Sequence, residues 1–144
     1  MEKQRVIFLC IHNSARSQMA EGLFKQLYGD EFDVYSAGSE PKGVDPLAVK
    51  CMDKIGIDIS DHRSKSLKEF EGQKFDYVIT VCGNSYNACP SFIGGKKYFK
   101  QAFEDPSTFE GIENEKLELF NKLRDELKIW LDDLYVSCML LEDK

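Results

Sequence analysis

Cys10, Arg16 and Ser17 gather more reactive chemistry into one short stretch than any other part of the chain, within Cys10-Ile11-His12-Asn13-Ser14-Ala15-Arg16-Ser17. A thiol, a guanidinium fork and a hydroxyl in this arrangement suit nucleophilic attack on a small anion. Arg16 offers paired planar donors to an oxyanion, and Ser17 can donate its proton to a thiolate at Cys10. Asn13 can brace the stretch, because asparagine tolerates left-handed backbone and bonds to nearby peptide groups. A cysteine alone would read as a small buried hydrophobe. With Arg16 and Ser17 beside it, Cys10 reads as a nucleophile. The thiols of Cys82 and Cys89 and the carboxylate of Asp105 are the other candidates.

These residues need elements to position them. Val6-Ile7-Phe8-Leu9 is a continuous apolar run too short for a helix, which predicts a buried parallel strand with Cys10 at its carboxyl end. Met19, Ala20, Leu23, Phe24, Leu27 and Tyr28 follow at helical spacing, so a helix opens near Ala15 to Ser17. The residues between form a strand-to-helix loop, which turns free backbone N–H groups and the positive end of a helix dipole into one concavity. That is an oxyanion cradle made by Ile11, His12, Asn13, Ser14, Ala15, Arg16 and Ser17, and a thiol at its mouth is favoured as the thiolate.

Further along, residues 32–36 read as a second strand and 37–46 as a Gly- and Pro-rich loop. A helix from about Asp45 carries Leu47, Ala48, Cys51, Met52 and Ile55 as one apolar stripe, so Cys51 reads as packing. Residues 61–67 are polar and read as surface, with Arg63 a solvated charge and Ser66 capping a short helix up to Phe70. The run 77–81 is the next strand and delivers Cys82 to its carboxyl end. If that strand neighbours the first, Cys10 and Cys82 face one crevice and a disulfide between them becomes geometrically accessible. Residues 83–89 have the composition of a mobile loop. Residues 97–99 form the fourth strand, and Pro106 keeps Asp105 out of helical geometry, on an extended loop at the sheet edge that carries the cysteines. A closing helix from about Glu113 presents Leu117, Phe120, Leu123, Leu127, Trp130, Leu131 and Leu134 on one face. Within the tail from about 135 to 144, residues 135–141 are unexpectedly apolar; they extend the helix or pack against another molecule, with Cys138 a bystander.

At 144 residues the chain reads as one domain, 1–144. Four strands alternating with helices predict an α/β protein with a four-stranded parallel sheet, flavodoxin-like and three-layered, in order 2-1-3-4. A formal net charge of −6 argues against a nucleic-acid surface, so an anionic substrate must be attracted locally. No apolar run approaches the roughly 20 residues that span a bilayer, and the first residues lead into a strand without a signal-peptide core, so a cytoplasmic location is expected. Five cysteines without a regular framework point to redox chemistry in a reducing compartment rather than a disulfide scaffold. The Cys82 to Cys89 spacing does not suit zinc, and no metal site is expected.

The stretch from Cys10 to Ser17, followed by Gln18-Met19-Ala20-Glu21-Gly22, resembles the low-molecular-weight protein tyrosine phosphatase superfamily and, within it, the thioredoxin-coupled arsenate reductases. Tyr35-Ser36-Ala37-Gly38, Gly56-Ile57-Asp58-Ile59-Ser60, Val81-Cys82-Gly83 with Cys89-Pro90, and Asp105-Pro106 extend the likeness over most of the chain. The resemblance implies the same fold and a three-thiol relay. The thiolate matching Cys10 attacks arsenate held by the loop and Arg16, while the carboxylate matching Asp105 acts as general acid. The thiol matching Cys82 expels arsenite and forms a Cys10–Cys82 disulfide. Cys89 then leaves a redox-active Cys82–Cys89 disulfide for thioredoxin. On this reading the enzyme binds no cofactor, takes electrons from thioredoxin, accepts arsenate or another small tetrahedral oxyanion, and works as a monomer.

Ala15 stands where some relatives have cysteine, a position the relay does not use. Some such reductases bind potassium beside the loop, partly through an acidic side chain in the region of residues 61–67; Arg63 and Lys65 bring positive charge here instead, so that ion site is not carried over. The alternative reading is a low-molecular-weight tyrosine phosphatase using Cys10, Arg16 and Asp105. Those enzymes usually follow the aspartate and proline with aromatic residues, whereas Ser107-Thr108 follows here. A second alternative is a cysteine phosphocarrier or anion-binding module, which needs neither a general acid nor a second thiol.

Overall fold

Four short runs become four parallel strands, each bounded by residues that turn the chain. The computed structural model describes residues 3–82 and 90–139. Strands β1 (Gln4–Cys10), β2 (Phe32–Gly38), β3 (Phe75–Thr80) and β4 (Gly95–Lys100) form one parallel sheet in the order β2-β1-β3-β4. This is the 2-1-3-4 order expected of the flavodoxin-like α/β class. β1 is central, so its apolar residues must be covered on both faces.

On one face, Val6, Phe8, Tyr77 and Ile79 meet helices α1 (Arg16–Tyr28), α2 (Pro46–Asp53) and α3 (Glu113–Leu134) through Met19, Leu23, Met52, Phe120 and Leu127. On the other, Ile7, Leu9 and Val78 meet Phe70, from the single-turn 3₁₀ helix Leu67–Phe70, together with Phe75 and Phe92.

The register sets the reactive edge. Leu9 pairs with Thr80 across β1 and β3, and Val81 N–H donates to Leu9 O at 2.8 Å, so Cys10 and Cys82 leave adjacent strands at the same carboxyl edge. Phe103 N–H donates to Cys82 O at 2.8 Å, drawing the segment that carries Asp105 to that edge. Cys10 pairs with Gly38 on the other side. A Cβ at Gly38 would lie 2.6 Å from Ile11 O and 2.9 Å from Asn13 N, so only glycine lets β2 pass the loop.

Some expected boundaries and burials differ. β2 and β4 run past the expected 32–36 and 97–99, because ladder pairing carries on through flanking glycines and lysines; β3 begins earlier than expected, with Phe75 paired to Gly95, and ends at Thr80, so Val81 lies just beyond it. α2 stops at Asp53 in a turn closed by Gly56 at φ 79°, which throws Ile55 off the apolar stripe and leaves it 43% exposed. Leu27 lies on the outward side of α1 and is also exposed. The tail adds a π-helical turn, Tyr135–Met139, that packs on the chain itself. Tyr135 stacks on Tyr28 with ring centroids 3.9 Å apart and donates its hydroxyl to Glu31, and Met139 is fully buried. Among the described residues, no helix is long and apolar enough to cross a membrane.

Candidate active site

The loop between β1 and α1 is held from outside by its carbonyls. Ile11 O accepts Glu40 N–H at 2.8 Å, His12 O accepts Lys42 N–H at 3.1 Å and Ser64 Oγ–H at 3.1 Å, and Ser14 O accepts Asp45 N–H at 2.9 Å. In a trans peptide the N–H points opposite the C=O. The N–H groups of His12, Asn13 and Ala15 therefore face the interior of the loop. Ala15 at the start of α1 makes no side-chain cap, which leaves the first-turn amides of the helix for an anion.

The thiol sits at the base of this concavity. Cys10 Sγ accepts Asn13 N–H at 3.2 Å and lies 2.8 Å from Ser17 Oγ. Asn13 Nδ2 donates to that same Oγ at 2.7 Å and leaves the Ser17 hydroxyl able to donate to sulfur. Asn13 makes both contacts from a left-handed backbone, φ 47°. Its Oδ1 is fixed in turn by Gln18 Nε2 and by Lys65 N–H, each at 2.8 Å.

Arg16 is buried and donates through Nη1 to Phe103 O at 3.2 Å, while Nη2 stands 3.6 Å from Asp105 Oδ2. Asp105 divides its two oxygens between two tasks. Oδ1 accepts Ser107 N–H at 3.0 Å and Ser107 Oγ–H at 2.6 Å and caps the 3₁₀ turn Pro106–Thr108, while Oδ2 faces the guanidinium. Cys82 follows β3 and, like Cys10, is 1% exposed. Cys89 lies outside the described residues. Cys10, Asn13, Arg16, Ser17, Cys82 and Asp105 are thus brought to one sheet edge. Cys51 is not: it lies on the buried face of α2, where burial pushes its thiol up to about 11, an inert setting for a sulfur.

Residues 5–136 match the model of the low molecular weight phosphotyrosine protein phosphatase family. The chain belongs to this family. An arsenate reductase of Halalkalibacterium halodurans is 47% identical over 127 residues, which are 88% of this chain and 91% of that relative. A solved structure described as an arsenate reductase in the phosphate binding state aligns with a TM-score of 0.79 at 34% identity, covering 93% of this chain and 98% of that one. A thioredoxin-dependent arsenate reductase of Corynebacterium glutamicum aligns at 0.65 and 28% identity, covering 94% of this chain and 63% of that one.

In this member of the phosphatase family the loop rests on a polar layer that the sequence reading overlooked. Gln18 is fully buried; its Nε2 reaches Asn13 O, Asn13 Oδ1 and Arg63 O within 3.1 Å, so its Oε1 accepts from His62 Nδ1–H at 3.0 Å. Beyond His62 lies the buried carboxylate of Glu21. The 61–67 stretch, expected at the surface, is therefore only partly there: His62 and Lys65 turn inward to these partners, while Arg63 pairs with Glu69 at the surface. The available signal was the pair Gln18 and Glu21, polar residues one turn apart on a helix that is otherwise apolar there.

Burial pushes the His62 imidazole below its ordinary value, with Glu21 opposing. The folded chain thus resists a proton that the unfolded chain takes up. The stability this represents is whole above the ordinary histidine value of about 6.5 and is lost as pH falls through the lower folded value. His62→Gln keeps a donor for Gln18 and does not titrate. It is expected to lose less stability than the native protein between about pH 7 and about pH 5 in urea denaturation; equal losses would contradict the assignment.

Proposed function

We propose that the protein is an arsenate reductase that draws its electrons from thioredoxin, using Cys10 as nucleophile and Cys82 and Cys89 as the relay. The observation that carries this reading is a second cysteine at the reactive edge, Cys82, buried at the carboxyl end of the strand paired directly with the one that bears Cys10. A phosphate-ester hydrolase has no use for it. The named relatives support the same substrate and reductant.

In this mechanism the loop amides and Arg16 bind arsenate, and the Cys10 thiolate attacks arsenic. One oxygen leaves as water, taking a proton from Asp105 Oδ2. The Cys82 thiolate then attacks Cys10 Sγ; the sulfur–arsenic bond breaks, its electron pair passes to arsenic, and arsenite departs. Cys89 attacks Cys82, Cys10 leaves as thiolate, and the dithiol of thioredoxin reduces the Cys82–Cys89 disulfide. Each exchange needs a thiolate with access to the sulfur it attacks, and a reducing cytoplasm suits thiols that must return to the reduced form after each cycle. The chain works as a monomer of one domain, a reading supported by a tail that buries Met139 against its own core.

The test is arsenate-dependent oxidation of NADPH in the presence of thioredoxin and thioredoxin reductase. Turnover by the native protein is expected. Its absence, together with hydrolysis of p-nitrophenyl phosphate, would favour the phosphatase reading, for which Cys10, Arg16 and Asp105 suffice.

A further inference from the structure

Glu21 is a buried carboxylate that no step of the proposed reaction uses. It stands one turn beyond Ser17 on α1, where a fixed negative charge works against an anion bound in the loop. Ser36 Oγ–H donates to its Oε1. Three basic groups surround it: Lys65 Nζ at 3.8 Å from Oε1, with Lys25 Nζ at 3.7 Å and His62 Nε2 at 3.9 Å from Oε2.

The three are not equivalent. The Lys25 side chain is 56% exposed, so solvent and salt screen it. Burial holds His62 toward its neutral form. Lys65 is 13% exposed at its side chain, and its ammonium is fixed by a bond to Arg63 O at 2.8 Å, the same oxygen that Gln18 Nε2 holds at 3.0 Å.

We propose that Lys65 is a positioning residue of the active site: its ammonium is the built-in counter-ion of Glu21, and the pair holds Asn13 in its left-handed, thiol-binding conformation. The links are continuous. Lys65 N–H donates to Asn13 Oδ1 at 2.8 Å, Asn13 Nδ2 donates to Ser17 Oγ at 2.7 Å, and Ser17 Oγ lies 2.8 Å from Cys10 Sγ. Lys65 O accepts Gly38 N–H at 2.9 Å, which ties the same residue to the end of β2. Without the ammonium, Glu21 is a buried charge whose remaining basic partners are a solvated lysine and a histidine that burial holds toward its neutral form, and residue 65 loses its anchor. The inference rests on the oxyanion loop of the proposed function and not on the thiol relay.

Two readouts test it, calorimetric binding of inorganic phosphate and the rate of Cys10 alkylation by iodoacetamide followed by peptide mass. Lys65→Met is expected to weaken phosphate binding about tenfold and to slow alkylation. Adding Glu21→Gln, which removes the unpaired charge, is expected to bring both readouts back to within about twofold of native. Native phosphate binding by Lys65→Met, or equal impairment in the single and double variants, would overturn the proposal, because a residue that only fills space is not rescued by neutralising its partner. Should Lys65→Met fail to fold, the double variant decides alone: native-like phosphate binding supports the pairing and weakened binding overturns it. Neither readout depends on arsenate turnover, so failure of the reductase reading leaves this result interpretable.

Discussion

Cys82→Ser is expected to reduce thioredoxin-coupled arsenate turnover to the background rate while phosphate binding stays native. A serine hydroxyl is not ionised near neutral pH and cannot form a disulfide, so the reaction halts once Cys10 has bonded to arsenic. The substitution is made outside the oxyanion loop, which is why binding should survive it. A hydroxyl at this buried position costs on the order of 1–3 kcal/mol if it finds no partner, so a thermal melt in parallel separates lost chemistry from lost fold. Wild-type turnover by the variant would remove Cys82 from the reaction.

Arg16→Ala is expected to lower kcat/KM for arsenate by about 10²–10³-fold, the usual loss when a preorganised donor to developing negative charge is removed. Two further consequences sharpen the prediction. Asp105 Oδ2 loses the guanidinium 3.6 Å away, and Phe103 O loses the donor that ties the 101–105 segment to the loop. Arg16→Lys restores the charge without the planar fork, so it should recover only part of the loss. Steady-state kinetics on both variants, with inorganic phosphate as competing inhibitor, checks this; an unchanged phosphate inhibition constant in Arg16→Ala would contradict the role given to the guanidinium.

The parts of this molecule that sequence reveals are those set by local rules. Val6 to Leu9 reads as a buried strand because no polar residue interrupts it, and it lies fully buried at the centre of the sheet. The strand-to-helix loop follows from an apolar period that changes from a continuous run to helical spacing within ten residues. Ile55 was misread because periodicity does not reveal where a helix stops, and the turn at Gly56 ends α2 first. Lys65 and His62 were misread for a different reason. A charged residue in a polar stretch reads as solvated unless its partner is known, and Glu21 lies more than forty positions away. The division of labour in Asp105, with one oxygen capping a turn and the other facing Arg16, depends on a fold-level contact and has no signature in the chain. What Asp-Pro-Ser does announce is the turn itself.

The most direct measurement is a disulfide map after a single arsenate turnover without thioredoxin, with thiols trapped by alkylation at acid quench and peptides identified by mass. A Cys82–Cys89 disulfide, alkylated Cys10 and one equivalent of arsenite are expected. Arsenite formed with all five cysteines alkylated, or a disulfide that excludes Cys82, would contradict the relay.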